Sequence, residues 1–324
     1  MTRTKPLQLS RSNNVVSVAG GLTATDYRRL LAMLHRTITK RGFADIVLDF
    51  TECTAAFPGP MLALCSEVSR RRATGVDFDL RVPTHEWLGR MFINSNWAHH
   101  IQPERYAESG YRGYVRVPMT QFETPSQQQS LVDRMVDAIL CSQTEFSRGD
   151  LGAIEWALNE ITDNVMNHAD SPIGGLAQLV NYKQSGRVEF VVADPGIGIP
   201  QSLRVGHPEL RSDPEALDRA IREGVTGNSS LGQGNGLFGT LELCQVGSGY
   251  LQVHSSYARF AYRSGDQRTL SEQVPFRGTL VIAALDVSDT DALGEGLRFG
   301  GRRHEPLDYI ESHFEVPRCF MWVG

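Results

Sequence analysis

The sequence predicts an α/β protein in two parts: an N-terminal α/β sandwich, then a larger unit with helices on one face of a mixed, mostly antiparallel sheet. Three observations lead to this fold class. About the first hundred residues alternate short apolar strands with helices in the order β-α-β-α-β-α. Two long helical segments then precede most of the remaining strands. A chain of 324 residues is also long enough for two hydrophobic cores.

Each element of the first unit, residues 1 to 106, has a local signal. NVVSVA alternates as a strand, and DYRRLLAMLHRTITKRG has apolar residues at helical spacing and ends at Gly42. DIVLDF is an almost wholly apolar strand, suited to burial on both faces. The helix GPMLALCSEVSRRRATG, the strand DFDLRVP and a helix from HEWLGRMF towards Trp97 complete the alternation.

The next segment, residues 107 to 125, is predicted to be a linker. It is poor in apolar periodicity and contains Gly110, Gly113, Pro118 and Pro125.

The second unit, residues 126 to 286, starts with the helices SQQQSLVDRMVDAILCSQTEF and DLGAIEWALNEITDNVMNHA. The hairpin LAQLVNYKQSGRVEFVVADPG turns at Ser185 and Gly186. A helix at DPEALDRAIREG, a glycine-rich stretch, the helix GLFGTLELCQV and the strands YLQVHSS, ARFAYRS and GTLVIAAL follow. Residues 287 to 324 are predicted to be a C-terminal tail.

Composition excludes several classes of protein. A net charge of -5 gives no basic surplus for nucleic-acid binding. No apolar run approaches the roughly 20 residues that span a bilayer, and the first residues lack a signal core, so we expect no membrane segment. The five cysteines are scattered without a CxxC pair, which favours a reduced, cytoplasmic compartment.

A polar stripe in LNEITDNVMNHADS is the first candidate site. Glu160, Asn164 and His168 are each four positions apart, and such positions on an α-helix differ by only about 40°, so the side chains occupy one face. By itself this pattern is more often a solvated helix face than a site. The positions on the other side are apolar and suited to burial against a sheet: Ile154, Ala157, Leu158, Ile161 and Val165.

Two glycine-containing segments add to this stripe. VVADPGIGIP ends an apolar strand at Asp194 and places Gly196 and Gly198 where backbone can turn sharply or approach a ligand. LGQGNGLFG precedes a helix, where free N–H groups and the helix dipole favour phosphate, although a flexible loop or helix cap is an alternative. The glycines of this second segment are Gly232, Gly234 and Gly236. Neither segment has the spacing of a P-loop or Rossmann site.

The order of these motifs, followed by the closing strand FRGTLVIAAL, resembles the GHKL superfamily of ATPases, whose ATP-binding domain is the Bergerat fold. The resemblance covers about residues 126 to 286 and implies ATP and Mg²⁺ as cofactors. It makes Asn164 a ligand of Mg²⁺, and Asp194 the acceptor of a hydrogen bond from the adenine amino group. Gly196 and Gly198 would lie beside the base, and Thr279 would support Asp194 and a nearby water. The residues that would present N–H groups to the triphosphate are Gly232, Gly234 and Gly236.

The same resemblance assigns a catalytic role to Glu160, as the carboxylate that orients or deprotonates an attacking water or hydroxyl. Helix solubility is the alternative role for this residue. His168 is expected to support the stripe rather than accept a phosphoryl group. Residues 201 to 231 would form the ATP lid. The chain departs from the family pattern at Pro195 and Asn235, which would affect lid geometry or hydrolysis rate.

The segment DIVLDFTECTAAFPGPMLALCSEV resembles the STAS domain of bacterial anti-sigma-factor antagonists in its strand, loop and helix. Those proteins carry a phosphorylatable Ser or Thr at the start of the helix. This chain has Phe57, Pro58, Gly59 and Pro60 there, none of which has a hydroxyl group. The resemblance therefore implies a docking or dimerisation module without the phosphorylation switch.

These observations favour a cytoplasmic ATP-binding regulatory protein that hydrolyses Mg-ATP slowly and thereby switches a partner-binding surface. One alternative is a serine/threonine kinase of the anti-sigma-factor type acting on a separate STAS partner, and another is a non-catalytic assembly scaffold. A protein partner is expected through the STAS-like domain or the C-terminal tail, which ends with the apolar Phe320, Met321 and Trp322. A homodimer is a further alternative.

Overall fold

The computed structural model belongs to the mixed α/β class, with two five-stranded sheets and helices between and beside them, as the sequence predicts. It describes residues 5–110, 116–141, 148–182, 185–222, 224–225, 235–286, 297–299 and 302–304.

The first sheet is mostly parallel. Its strand order is β1-β2-β3-β5, with β4 also paired to β2; only the β1–β2 pairing is antiparallel. The strands are β1 Gln8–Ser12, β2 Val15–Leu22, β3 Asp45–Asp49, β4 Cys53–Ala56 and β5 Asp77–Arg81. The helices are α1 Tyr27–His35 with a π-helical continuation at Arg36–Lys40, α2 Pro58–Arg72, α3 Glu86–Asn94 and α4 Trp97–Ile101. The short strands β1 and β4 were not predicted.

The second sheet has the order β6-β7-β8-β10-β9, and all its pairings are antiparallel rather than mixed. Its strands are β6 Arg116–Phe122, β7 Gly175–Tyr182, β8 Arg187–Asp194, β9 Tyr250–Arg263 and β10 Asp266–Asp286. The predicted strands YLQVHSS and ARFAYRS are one continuous strand, β9.

The linker prediction for residues 107 to 125 is wrong over β6. Val117, Met119 and Phe122 are buried, and β6 pairs with β7 along one edge of the sheet. Pro118 obscured the strand signal, because proline cannot donate to a ladder and is tolerated mainly on edge strands and at bulges. The ladder does shift register between Val117 and Thr120.

The remaining described helices are α5 Pro125–Leu140, α6 Arg148–His168, α7 Ile199–Leu203, α8 Asp213–Ala220 and α9 Gly236–Val246. Apolar side chains of α5, α6 and α9 share one core with the second sheet. Within the predicted tail, a small hairpin of β11 Leu297–Phe299 and β12 Arg302–His304 is described. Phe320, Met321 and Trp322 lie outside the described residues. None of the helices in the described ranges has the length and apolar character to cross a bilayer.

The opposite face of the second sheet is covered by the first unit, so helices flank this sheet on both faces. Helix α2 lies between the two sheets, and its residues from Pro58 to Ser69 are all buried. A helix that is buried all round has no solvated face to offer a partner. The second-sheet residues that join the core of the first unit are Met119, Leu176, Val191, Ala193, Phe276, Leu280 and Ile282.

Buried hydrogen bonds also join the two units. The Tyr27 hydroxyl lies 2.9 Å from Nδ1 of His254, and the Trp97 Nε1–H donates to Oε1 of Gln178 at 2.9 Å. Burial holds the pKa of His254 well below its usual range, so the ring is neutral and Nδ1 accepts from Tyr27 while Nε2–H faces Gln252. These four side chains are thus partnered across the contact, whereas Ser66 Oγ and Arg28 Nε are buried there without a hydrogen-bond partner.

We expect Tyr27→Phe to lower the free energy of unfolding by about 1 to 3 kcal/mol, because it leaves the buried Nδ1 of His254 without a donor. Tyr257→Phe is the matched control, since Tyr257 is 48% exposed whereas Tyr27 is fully buried. Urea denaturation followed by circular dichroism measures both variants. Equal stability of the two variants would show that this hydrogen bond between the units contributes nothing to folding.

Candidate functional site

Helix α6 has the two faces that its sequence predicts. Its apolar positions are buried, with Ile154, Leu158 and Ile161 at most 2% exposed. Glu160, Asn164 and His168 are partly buried. The polar stripe is therefore neither a fully solvated face nor part of the core.

The first residue of α9 lies directly against this stripe. A Cβ atom on Gly236 would be 2.8 Å from Oε2 of Glu160 and 3.2 Å from Nδ2 of Asn164. Any larger residue at this position would displace one of these side chains. The N-terminal end of α9, which carries free N–H groups and the positive end of the helix dipole, thus adjoins an acid and an amide.

Asp194 is the last residue of β8 and is 2% exposed. Its Oδ1 accepts from the Gly196 N–H at 2.8 Å, and the hydroxyl and backbone N–H of Thr279 also donate to its carboxyl group. Asp194 and Thr279 are direct cross-strand partners of β8 and β10. The sequence assigns Thr279 to the support of Asp194, and the structure places the two residues side by side.

Glycines allow the backbone segments around Asp194 to approach each other. Gly278 has φ of +93°, and a Cβ there would be 1.9 Å from the Asp194 carbonyl oxygen. Gly198 has φ of +80°, and its Cβ would be 2.6 Å from Oγ of Ser255. Ser255 Oγ donates to the Gly278 carbonyl at 2.8 Å and accepts from the Ile199 N–H at 2.9 Å. This serine, which links both glycine segments, was missed because a lone serine in a strand carries no motif.

The loop after β8 is attached to the end of α6. The Ile197 N–H donates to the Ala169 carbonyl oxygen at 2.7 Å, and a Cβ on Gly196 would lie 2.0 Å from the same oxygen. Ala169 directly follows His168, and Asn164 is about 7.5 Å further back along the helix axis. Asp194 and the polar stripe consequently belong to one site.

Burial dominates the electrostatics of this site. It raises the pKa of Asp194 from 3.8 to about 7, against the hydrogen bonds from Gly196 and Thr279. Burial, with the nearby charge of Asp163, raises the pKa of Glu160 from 4.5 to about 7. Burial also lowers the pKa of His168, which keeps its ring neutral. Two carboxyl groups are thus poised to exchange protons near neutral pH.

The predicted lid is described in part. α7 and α8 lie within or beside residues 201 to 231 and enclose a small separate core made by Leu203, Leu210, Ala216 and Ala220. Gly232 and Gly234 lie outside the described residues. Asn235, where the chain departs from the family pattern, accepts from the Gly224 N–H through Oδ1 at 2.9 Å.

No cluster of three or more His, Cys, Asp or Glu side chains suited to a metal ion occurs in the described part of the chain. A divalent ion at Asn164 would be held by this amide oxygen, with oxygens of a bound molecule or of water among its other ligands. Mg²⁺ suits such a site, since it commonly keeps several waters and binds through substrate phosphates.

Comparison of the sequence with protein-family models and with curated proteins gives no match.

Proposed function

We propose that this chain is an ATP-binding protein of the histidine-kinase-like GHKL class, with Mg-ATP bound between α6, the end of β8 and the start of α9. The observation that carries the proposal is the buried Asp194 carboxyl at the end of β8, held by Thr279 and Gly196 beside glycine backbone. The loop that follows it is hydrogen-bonded to the end of the helix that bears Glu160 and Asn164.

The Asp194 end of the site suits adenine. Its carboxyl group receives donors from Gly196 and Thr279, and a carboxylate has further acceptor positions for the exocyclic amino group of the base. Gly198 allows Ser255 and Gly278 to approach the backbone closely, since a Cβ atom there would meet both, and we assign it to the base contact by its place in the motif. An acceptor in this position favours adenine over guanine, which carries a carbonyl oxygen where adenine has its amino group.

The Asn164 end suits the phosphates and their metal ion. Its side-chain oxygen is a hard ligand of the kind Mg²⁺ prefers, and the ion would neutralise phosphate charge near Glu160. The N-terminus of α9 at Gly236 faces the same place and supplies N–H groups and a positive dipole. We assign Gly232 and Gly234 to the same phosphate contact by their place in the motif.

Glu160 would then act in hydrolysis. Its pKa of about 7 allows it to accept a proton from a water molecule as the water oxygen attacks the terminal phosphorus. The bond from that phosphorus to the bridging oxygen breaks, which releases ADP and inorganic phosphate. His168, neutral at the end of the same helix, would support this face without taking the phosphoryl group.

Hydrolysis is preferred over phosphorylation of the fused first unit. The start of α2 has no hydroxyl group to accept a phosphoryl group. It is also packed closely against the second sheet, since a Cβ atom on Gly59 would lie 2.4 Å from Cδ1 of Ile282. We therefore propose that ATP occupancy acts through α7 and α8, whose core is small and separate, and alters the surface offered to a protein partner.

Asn164→Ala should weaken Mg-ATP binding by about tenfold or more, because it removes a metal ligand, and should affect ADP without magnesium much less. Asn167→Ala is the matched control, since Asn167 is exposed on the same helix. Calorimetric titration of both nucleotides measures the difference. Equal losses for both nucleotides in Asn164→Ala would contradict the metal role.

Nucleotide binding should release a proton near pH 6.5. In the free protein the pKa of Asp194 is higher in the folded state than in the unfolded chain. Between about pH 4 and 7 the folded protein therefore binds a proton that the unfolded chain does not, and this group's contribution to stability falls as pH rises through that window. The adenine amino group favours the ionised carboxylate and lowers this pKa, so affinity should rise with pH up to about 7. Titration in two buffers of different ionisation enthalpy counts the protons, and Asp194→Asn should remove one of them. An unchanged proton count in Asp194→Asn would exclude this carboxyl from the base contact.

Glu160→Gln tests the chemical step and the proposed activity directly. The amide keeps size and helix propensity but cannot take a proton, so ATP should still bind while phosphate release falls by about 10²-fold or more. Turnover equal to that of the wild type would leave Glu160 as a structural residue. If the wild type releases no phosphate, the hydrolysis proposal is wrong, and ATP would instead gate the binding of a partner.

A further inference from the structure

A groove with residues from both units in its lining lies apart from the residues of the candidate site. It is a groove of about 310 Å³ between α1 with its π-helical continuation, α2 and β10. The wall formed by β10 is irregular, because its pairing with β9 shifts register between Ser271 and Phe276 and again before Thr279. Arg28 of α1 fixes this irregular wall by donating to the backbone carbonyl oxygens of Ser256, Ala258 and Val274.

The charges lining this groove are strongly unequal. Four arginines, Arg36, Arg70, Arg71 and Arg277, face a single carboxylate, Glu67, which is 7% exposed. Both oxygens of the Glu67 carboxylate already accept hydrogen bonds from arginines of the groove. Arg70 Nη2 and Arg71 Nε donate to its Oε1 at 2.6 and 2.8 Å, and Arg70 Nε donates to its Oε2 at 2.8 Å. The groove thus keeps an excess of three positive charges.

His35 adds a donor without adding a charge. Its Nδ1 lies 2.9 Å from Nη2 of Arg71, and since a guanidinium group can only donate, Nδ1 is the acceptor and Nε2 carries the proton. Burial, followed by the neighbouring Arg71, lowers the pKa of this ring and keeps it neutral. Donors therefore outnumber acceptors among the charged groups and the histidine of this lining.

Arg36 and Arg277 stand on opposite sides of the groove, one after α1 and the other on β10. Both side chains are exposed, and neither has an ion pair with another residue in the described ranges. Guanidinium groups that line one groove without a carboxylate partner of their own leave hydrogen-bond donors free for an anion. The volume is that of a small-ligand site at a contact between two units, where such sites are common.

We propose that this groove binds a phosphate-bearing small molecule, with the phosphoryl oxygens held between Arg36, Arg70 and Arg277. Planar guanidinium groups bind phosphate through paired hydrogen bonds, and an excess of three positive charges matches a multiply charged anion better than a single carboxylate. A long nucleic acid fits poorly, because the groove is small and the chain carries a net charge of -5. The site is distinct from the proposed nucleotide site and does not depend on it.

Inorganic pyrophosphate, titrated calorimetrically into the full chain in EDTA and low salt, tests the proposal. The wild type should bind it, and affinity should fall as sodium chloride is added. The double variant Arg36→Gln/Arg277→Gln should bind about 100-fold more weakly, since each charged hydrogen-bonding group contributes about tenfold. Arg105→Gln, an exposed arginine outside the groove, is the matched control and should bind as the wild type does.

Two further measurements keep this result separate from the nucleotide site. Asn164→Ala and Asp194→Asn should retain full pyrophosphate binding if the groove is the site. Loss of binding in these variants but not in Arg36→Gln/Arg277→Gln would overturn the proposal, as would equal affinity in the double variant and the Arg105→Gln control. Binding of a phosphoserine peptide that depends on Arg277, without binding of pyrophosphate, would also overturn it in favour of a protein ligand.

Discussion

The burial of α2 between the two sheets is the constraint on which most of the structure depends. Its consecutive buried residues contact the first sheet on one side and β7, β8 and β10 on the other. Because one helix serves both cores, neither unit can move away without exposing a large apolar surface, which costs about 25 cal/mol for each Å². The first unit is thus part of the support of the second sheet, and its central helix cannot serve as a free docking surface.

This support has a direct consequence for the candidate site. Asp194 and Thr279 meet because β8 and β10 pair in one register, and a slip by one residue would turn one of the two side chains to the opposite face. Val191, Ala193, Leu280 and Ile282, which precede or follow this pair, are buried against the first unit and fix that register. The position of the Asp194 carboxyl group therefore depends on two things. One is its own hydrogen bonds, and the other is the packing of its neighbours on the sheet face that points away from α6.

The site carries features that a sequence selected only for stability would avoid. Asp194 and Glu160 are carboxyl groups whose pKa values of about 7 reflect unfavourable burial of their charged forms. Gly278 and Gly198 hold backbone conformations with positive φ that other residues adopt at a cost. Carboxyl groups with raised pKa values beside backbone conformations that only glycine adopts readily are typical of sites that bind or react, and both occur where β8 ends.

The sequence by itself determined the type and order of most elements and predicted the main members of the candidate site. Helical periodicity placed Glu160 and Asn164 on one face of α6, and the position of Asp194 at the end of an apolar strand predicted a carboxyl beside glycine backbone. Such signals are local, because they depend on residues a few positions apart. Local signals failed where the role of a residue depends on neighbours from distant parts of the chain. β6 contains a proline that is tolerated because the strand lies at a sheet edge. Ser255 matters because Gly198 and Gly278 meet around it. The shared core around α2 and the convergence of Arg36 with Arg277 were likewise decided by tertiary structure, since these residues come from segments far apart in the chain and meet only when the second sheet packs on the first unit.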